Sequence, residues 1–294
     1  MDRPQTWTIL SVLKFSRPYL EERGVPEARL SVETLLSHVL SLPRLNLYTD
    51  HERPLTPDEL AAFKALLLRR AAREPVAYIT GNRGFWSLDL AVTPDVLIPR
   101  PETEHLVEEA LSIVPRREET SRPWRVLDLG TGSGAIVLAL ASERPGHFFA
   151  ATDASAAALA VARNNARRAG LADAVAFVRG SWLSPVREGA ALDLIVSNPP
   201  YIASEVLRTL EPEVRDWEPA GALDGGPDGL SDLGTILSAA PARLAPGGWL
   251  LVEMGHDQAD GIAKIAASVP GLGEPRIVRD YARMPRVAVM QRTG

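Results

Sequence analysis

From Arg125 to the end of the chain, short apolar runs alternate with stretches of helical pattern, and this alternation restricts the fold more than any other feature. RVLDLG reads as an apolar strand ending in a tight turn, and AIVLALASE supplies the helix after it. HFFAATD ends a second strand at Asp153, followed by the alanine-rich ASAAALAVARNNARRAG. VAFVRG is a third strand and LDLIVSN a fourth. After a long loop, LGTILSAAPARLA reads as helix and GWLLVEMG as strand; a helix near Gly261 to Ala267 and the strand candidates RIVRD and RVAVMQR complete the tail. Parallel neighbours need crossover connections, which are usually helical, and strands covered on both faces read as continuous apolar runs. The expected class is therefore α/β, a largely parallel sheet with helices on both faces.

The beginning of the chain has a different texture. Trp7, Leu10, Leu13 and Leu20 begin one helical pattern, and Leu35, Leu36, Val39 and Leu40 occupy a second. The third runs from about Asp58 to Arg70, with Leu60, Phe63, Leu66 and Leu67 on one stripe. Thr56 stands where a helix cap belongs, and Pro57 where a missing N–H costs nothing. Residues 1–75 thus read as a small helical domain. Tyr78 and Ile79, then Phe85, Trp86, Leu88, Leu90 and Val92, predict two strands around a turn from Gly81 to Gly84, so 76–98 reads as a β-hairpin linker. IPRPETEHLVEEAL predicts a helix over about 102–114 in the domain 99–294.

Several functional classes are disfavoured by what the 294 residues lack. The absence of cysteine rules out disulfides, thiolate metal sites and a cysteine nucleophile. No apolar run is long enough for a membrane span, and MDRPQTWTIL lacks the features of a signal peptide, so a cytoplasmic location without a membrane partner is expected. A net charge of -5 argues against a broad grip on nucleic acid. His38, His51, His105, His147 and His256 show no HExxH spacing, and no metal site is expected. No GxSxG elbow is present for a hydrolase.

Two motifs carry chemistry. DLGTGSG places Gly130, Gly132 and Gly134 between a strand and a helix, where a turn without Cβ atoms lets a ligand approach the backbone and the helix start offers free N–H donors. Asp153, closing the next strand, can accept from both hydroxyls of a ribose. The spacing GxGxG departs from the dinucleotide fingerprint, and no Walker sequence occurs, so a monoadenosyl ligand is the better match. Trp182, in the loop after the third strand, either borders an adenine or packs the loop.

The second motif is NPPY. Asn198 falls at the end of the fourth strand, beside the glycine turn, and Pro199 and Pro200 cannot continue a strand ladder. The Asn198 side-chain carbonyl and the Pro199 main-chain carbonyl can accept both hydrogens of a planar NH₂ group, with Tyr201 as a flat contact. An amide or adenine nitrogen is a poor nucleophile because its lone pair is delocalised. Two acceptors orient it, reduce the delocalisation and aim the lone pair at an activated methyl carbon.

DLGTGSG, TD, SW and SNPPY together resemble the Rossmann-like S-adenosylmethionine-dependent methyltransferases that modify planar NH₂ groups. With FWSLDLAVTPDVLIPRPETE and the RDYARMPRVAVM tail, the resemblance covers most of the chain and is closest to the peptide chain release factor glutamine methyltransferase family. It implies a Rossmann-like methyltransferase sheet with a small N-terminal helical domain that recognises the substrate. The implied reaction is methyl transfer from S-adenosylmethionine to N5 of the glutamine in the GGQ motif of bacterial class 1 release factors, with no stable nucleic-acid partner. It carries Gly130, Thr131, Gly132, Ser133, Gly134, Asp153, Trp182 and Asn198 over as cofactor contacts. It carries Asn198, Pro199, Pro200 and Tyr201 over as the glutamine site, with Asn198, Pro199 and Tyr201 in the catalytic role. Arg100 and Glu102 either support the pocket or form structural ion pairs. Glu253 is a pocket wall or an ordinary strand-end carboxylate. The alternatives are a nucleic-acid adenine N6-methyltransferase, whose acceptor presents the same amine, and a non-enzymatic binding protein on the same scaffold.

Overall fold

In the computed structural model, which describes residues 6–294, the chain separates into two units. The first runs up to Gly81 and also takes in Glu211–Trp217; residues 1–5 of the expected N-terminal domain lie outside the described residues. It contains α1 (Ile9–Glu21), α2 (Ala28–Leu40), α3 (Asn46–Thr49), α4 (Pro57–Ala71) and α5 (Val76–Thr80). Their core is Ile9, Val12 and Leu20 of α1, Leu35 and Leu36 of α2, Phe63 and Leu67 of α4, and Ile79. The buried face of α1 is the one through Ile9, Val12 and Leu20; Leu10, expected on it, is 36% exposed. At the start of α4 the Thr56 hydroxyl accepts from Glu59 N–H at 3.2 Å, and the Glu59 carboxylate accepts from Thr56 N–H at 2.8 Å. This reciprocal cap satisfies two donors that a helix start would otherwise leave unpaired.

The segment expected as a hairpin is divided. Tyr78 and Ile79 lie in α5, not in a strand. Pro75 precedes this helix, both side chains are buried, and two adjacent apolar residues carry no period that would tell strand from helix. The strands are β1 (Asn82–Phe85) and β2 (Leu88–Ala91), which pair from Asn82↔Ala91 to Phe85↔Leu88. The turn is therefore Trp86–Ser87, with Trp86 at φ 55°, rather than Gly81–Gly84. A two-residue hairpin turn needs positive φ, and here tryptophan supplies it where glycine would be the usual choice. The hairpin belongs to the second unit and contributes Phe85 and Leu90 to its core.

That unit continues with α6 (Glu104–Ile113), β3 (Arg125–Leu129), α7 (Ala135–Glu143), β4 (Phe148–Asp153), α8 (Ala156–Arg168), β5 (Val175–Arg179), β6 (Leu192–Ser197), α9 (Ser231–Ala239), β7 (Leu244–Glu253), α10 (Ala259–Ser268), β8 (Arg276–Arg279) and β9 (Pro285–Gln291). Seven strands form one sheet in the order β5-β4-β3-β6-β7-β9-β8. The pairs from β5 to β7 are parallel, and β9 runs antiparallel to both β7 and β8. Alternation along the strands sends Val126, Val196 and Leu251 into a core with α6 and α7, and Leu127, Ile195 and Leu250 into a core with α9 and α10. Helix α7 is buried on all sides from Ala135 to Ala141, as its run of apolar residues requires. The helix expected to run through Leu233 to Ala245 stops at Ala239, because Pro241 cannot extend it, and β7 then begins already at Leu244.

This order places the site. After β3 the chain steps to β4 on one side, while β6 lies on the other, so the crevice between their carboxyl ends is a topological switch point, where open α/β sheets bind ligands. Among the described residues, no helix is long and apolar enough to cross a membrane.

Thr56→Ala removes one half of the α4 cap. Its expected cost is about 1 kcal/mol, to be read as a lower urea midpoint; an unchanged midpoint would show that the cap adds nothing to this unit.

Candidate functional site

The loop after β3 is shaped by its neighbours. Gly130 and Gly132 have φ of 67° and 54°, values that favour glycine. A Cβ on Gly130 would sit 3.0 Å from the Trp182 ring, whereas one on Gly132 would meet nothing within 4 Å. The Gly132 N–H donates to Asp153 Oδ2 at 2.9 Å, and Ser155 N–H donates to Oδ1 at 2.8 Å. Behind the loop, the Thr131 hydroxyl donates to Asp128 Oδ2 at 2.6 Å. The Ser197 hydroxyl at the end of β6 donates to the Leu129 carbonyl at 2.8 Å. Asn165 of α8 donates to the Ser133 carbonyl at 2.9 Å. Strand and helix ends thus hold the loop from three sides.

Trp182 follows β5 with a left-handed φ of 47°. Its carbonyl accepts from the Thr152 hydroxyl at 3.1 Å, and its indole Nε1 donates to Asp232 Oδ1 at 3.1 Å. Asn198 follows β6, and its Nδ2 donates to Thr103 Oγ1 at 3.1 Å. Beyond it, Gln258 Nε2 donates to the Tyr201 carbonyl at 2.8 Å, and Ile202 N–H donates to the Leu223 carbonyl at 3.1 Å. The Tyr201 hydroxyl donates to Glu253 Oε1 at 3.2 Å. Burial, followed by the charge of Glu253, pushes the Tyr201 phenol well above its usual range, so it stays protonated.

These groups surround one cleft of about 420 Å³, within the size of small-molecule sites. Of the expected residues, Gly130, Thr131, Gly132, Ser133, Asp153, Trp182, Asn198, Pro200 and Arg100 line it. Gly134, Pro199 and Tyr201 stand behind these residues. A Cβ on Gly134 would come within 3.1 Å of Leu138, so this glycine serves close packing of α7 and its loop. Pro199 is buried between two lining residues. Arg100 combines both roles left open for it: it lines the cleft, and its Nη2 donates to Glu218 Oε1 at 2.5 Å. Glu218 also accepts from Ile98 N–H at 3.2 Å. Burial raises the Glu218 carboxyl against the opposing effect of Arg100.

Sequence reading missed Thr103, Asp128, Glu218 and Asp232. For Asp128 a signal existed, since it is an acid two residues before GTGSG, set between apolar residues near the end of a strand. None of the five histidines lines the cleft; His147 is buried, accepting from Trp124 N–H at 2.9 Å. Among the described residues, no group of His, Asp or Glu is arranged to hold a metal ion.

Comparison with known proteins follows the same division of the chain. The family described as PrmC N-terminal domain matches residues 11–81, and that described as methyltransferase small domain matches residues 111–210. A release factor glutamine methyltransferase of Geobacter sulfurreducens is 48% identical over 261 residues, covering 89% of either chain. One of Vibrio cholerae is 43% identical over 286 residues, covering 97% of this chain and 96% of its own. Among solved structures, a methyltransferase from Pyrococcus furiosus shares the fold with a TM-score of 0.51 at 19% identity, covering 79% of this chain and 98% of that one.

Two buried acids behind the cleft make stability depend on pH. Burial pushes Asp128 up to about 7, helped by the charge of Asp153 and opposed by the Thr131 hydrogen bond. Burial likewise pushes Glu253 up to about 7. The unfolded chain releases these protons near pH ~4, so the folded state binds more protons between the two values. The associated stability is full below the lower value and is lost as pH rises through about 7. Asp128→Asn keeps an oxygen for Thr131 and removes one of the titrations. The fall in urea midpoint from about pH 5 to about pH 8 should become shallower in this variant; a slope equal to wild type would clear Asp128 as its source.

Proposed function

Because the chain belongs to the release factor glutamine methyltransferase family, we infer that its cleft holds a glutamine side chain against Asn198 and Pro199, facing the methyl donor. The enzyme transfers a methyl group from S-adenosylmethionine to N5 of the glutamine in the GGQ motif of bacterial class 1 peptide chain release factors. What carries the assignment of the site is that Asn198 and the glycine loop from Gly130 to Ser133 line one cleft.

The residues fit the donor. Gly132 opens onto space that no side chain fills. The Asp153 oxygens each accept one loop N–H, and a carboxylate oxygen has capacity for a second donor, so ribose hydroxyls can be held without releasing the loop. Gly130, Thr131 and Ser133 line the cleft beside Asp153, and Trp182 offers a flat wall. When bound, S-adenosylmethionine supplies a methyl group made electrophilic by its sulfonium.

Asn198 and Pro199 do the rest through two acceptors. Their carbonyl oxygens take the two hydrogens of the glutamine NH₂, which fixes the plane of the amide and turns the nitrogen lone pair toward the donor. As the new C–N bond forms, positive charge builds on nitrogen and both hydrogen bonds strengthen. The stabilisation is thus larger in the transition state than in the ground state, which is the condition for raising turnover. Pro200 lines the wall, and Tyr201, held neutral, packs behind it. Arg100 stiffens the rim through Glu218.

A glutamine side chain alone is too small to single out one residue among many proteins, so the N-terminal unit is assigned release-factor recognition. The Leu60–Leu67 region is mostly core, as Phe63 and Leu67 are buried and Leu60 and Leu66 pack beside them. The exposed large apolar side chains of this unit are Leu10, Phe15, Leu30, Leu45, Tyr48 and Leu68, with Leu45, Leu68 and Phe15 the most exposed at 72%, 50% and 47%. Trp7 braces Phe15 edge-on at 5.4 Å, so this aromatic contact is partly ordered before binding. A cytoplasmic location belongs to the same inference, because translation termination takes place there.

Asn198→Ala removes one acceptor and should lower kcat by roughly a hundredfold or more, the scale of losing one preorganised hydrogen bond at a reacting centre. Mass mapping of the modified glutamine gives the readout, and full activity in folded protein would end this reading of the site. Phe15→Ser together with Leu68→Ser should raise KM for an intact release factor several-fold, roughly the effect of losing two apolar contacts. Cofactor affinity measured by calorimetry should not change, and an unaltered KM would remove the N-terminal unit from recognition.

A further inference from the structure

We propose that Gln258 is a positioning residue that holds the Tyr201 carbonyl and thereby sets the direction of the Pro199 carbonyl toward the substrate. The proposal rests on the reading of Asn198 and Pro199 as the two acceptors for the glutamine NH₂. The Asn198 acceptor is a side chain with torsions of its own. The Pro199 acceptor is main chain, so only the path of the backbone can aim it.

That path has few free angles. The rings of Pro199 and Pro200 lock φ at both positions, which leaves the ψ angles to decide where the carbonyl points. Those angles follow from where the two ends of the motif are held. Upstream, Ser197 is fixed in β6, opposite Leu129 of β3 and Val252 of β7. Downstream, Gln258 Nε2 donates to the Tyr201 carbonyl at 2.8 Å and to the Gly229 carbonyl at 3.1 Å. Its Oε1 accepts from Gly255 N–H at 2.9 Å. All three partners are main-chain groups of fixed character, two acceptors and one donor, so the carboxamide fits in one orientation only.

The loop that Gln258 joins to the motif lies directly on the motif's backbone. A Cβ on Gly225 would sit 2.7 Å from the Pro200 carbonyl oxygen, and one on Gly229, at φ 75°, would collide with the Tyr201 carbonyl. Ile202 N–H donates to the Leu223 carbonyl at 3.1 Å, and Gly225 N–H donates back to the Ile202 carbonyl at 2.9 Å. The two segments are thus paired beyond Tyr201, and Gln258 closes the pairing at Tyr201 itself, two residues from the acceptor.

The surroundings separate this role from ordinary helix support. Gln258 stands immediately before α10, where a short polar side chain usually caps the helix, yet its side chain makes no cap hydrogen bond. It is 8% exposed, so water competes little for its bonds. It does not line the cleft and reaches the substrate only through Tyr201. A shift of about 1 Å at a reacting centre can cost about a hundredfold in rate, so a bond this close to the acceptor bears on turnover.

The test measures methylation of an intact release factor by full-length protein carrying Gln258→Glu, Gln258→Met, Asn198→Ala, or Asn198→Ala together with Gln258→Glu. Gln258→Glu keeps the size and the acceptor for Gly255 N–H but loses the donors. It should lower kcat about tenfold or more, with calorimetric affinity for S-adenosylmethionine within about twofold. Gln258→Met keeps the bulk without donors or charge and should show a loss of the same order. Wild-type kcat in either variant overturns the proposal. Should one variant melt below the assay temperature, the other decides; should both, Gln258 serves the fold and the proposal falls. Both acceptors grip one NH₂, so the loss in the double variant should be at least about threefold smaller than the product of the single losses. Losses that simply multiply would mark Gln258 as a structural residue and overturn its positioning role. A fully active Asn198→Ala would defeat the acceptor reading underneath, whereas an impaired Asn198→Ala beside an unimpaired Gln258→Met defeats the positioning alone.

Discussion

The Asp153 carboxylate joins the end of β4 to the loop that follows β3, with Oδ2 on Gly132 N–H at 2.9 Å and Oδ1 on Ser155 N–H at 2.8 Å. A charged acceptor makes such bonds stronger than ordinary amide pairs. They hold a backbone that positive φ at Gly130 and Gly132 would otherwise leave loose. Ser197 ties the same loop to β6, and Asn165 ties it to α8. Only parallel strands bring the ends of β3, β4 and β6 to one edge, so these ties depend on the order of the sheet. The cleft is thereby shaped before any ligand arrives, and little ordering is left to oppose binding.

Legibility in the sequence follows the range of the interactions involved. GTGSG and NPPY are each contiguous, and the turn or strand end that each requires is written in its own residues. The strands β3 and β6 were equally plain, since burial on both faces leaves mostly apolar runs, interrupted by Asp128 in β3 and by Asp193 in β6. Thr103 could not be found in this way, because its partner Asn198 lies 95 residues away. The same holds for Glu218, which reaches back 118 residues to Arg100. The hairpin was placed at its glycines although the turn falls at Trp86, where pairing of β1 with β2 overrides local preference. Local chemistry is readable; the shells that orient it are tertiary.

The interior shows where stability is given up. The two cores flanking the sheet are apolar throughout, yet Asp128 and Glu253 are buried at their edge, each with one oxygen lacking a partner among the described residues. Both acids lie immediately behind the cleft, one under the glycine loop and one under NPPY. Departures from a consistent core that gather at one place are a mark of residues kept for chemistry.

The first unit is not a continuous piece of chain. Glu211–Trp217 belongs to it, although more than a hundred residues of the sheet unit intervene after Gly81. Glu213 binds Arg70 at 2.8 Å and Arg73 at 2.5 Å, and Arg70 is 4% exposed. A buried guanidinium without its carboxylate is far less stable than one that is paired. The consequence concerns inheritance. A recombination event that moves the first 81 codons into another gene carries Arg70 away from its counterion, and the recipient must already possess an acid in the matching place. The unit can drift in sequence with its host, but it does not travel alone.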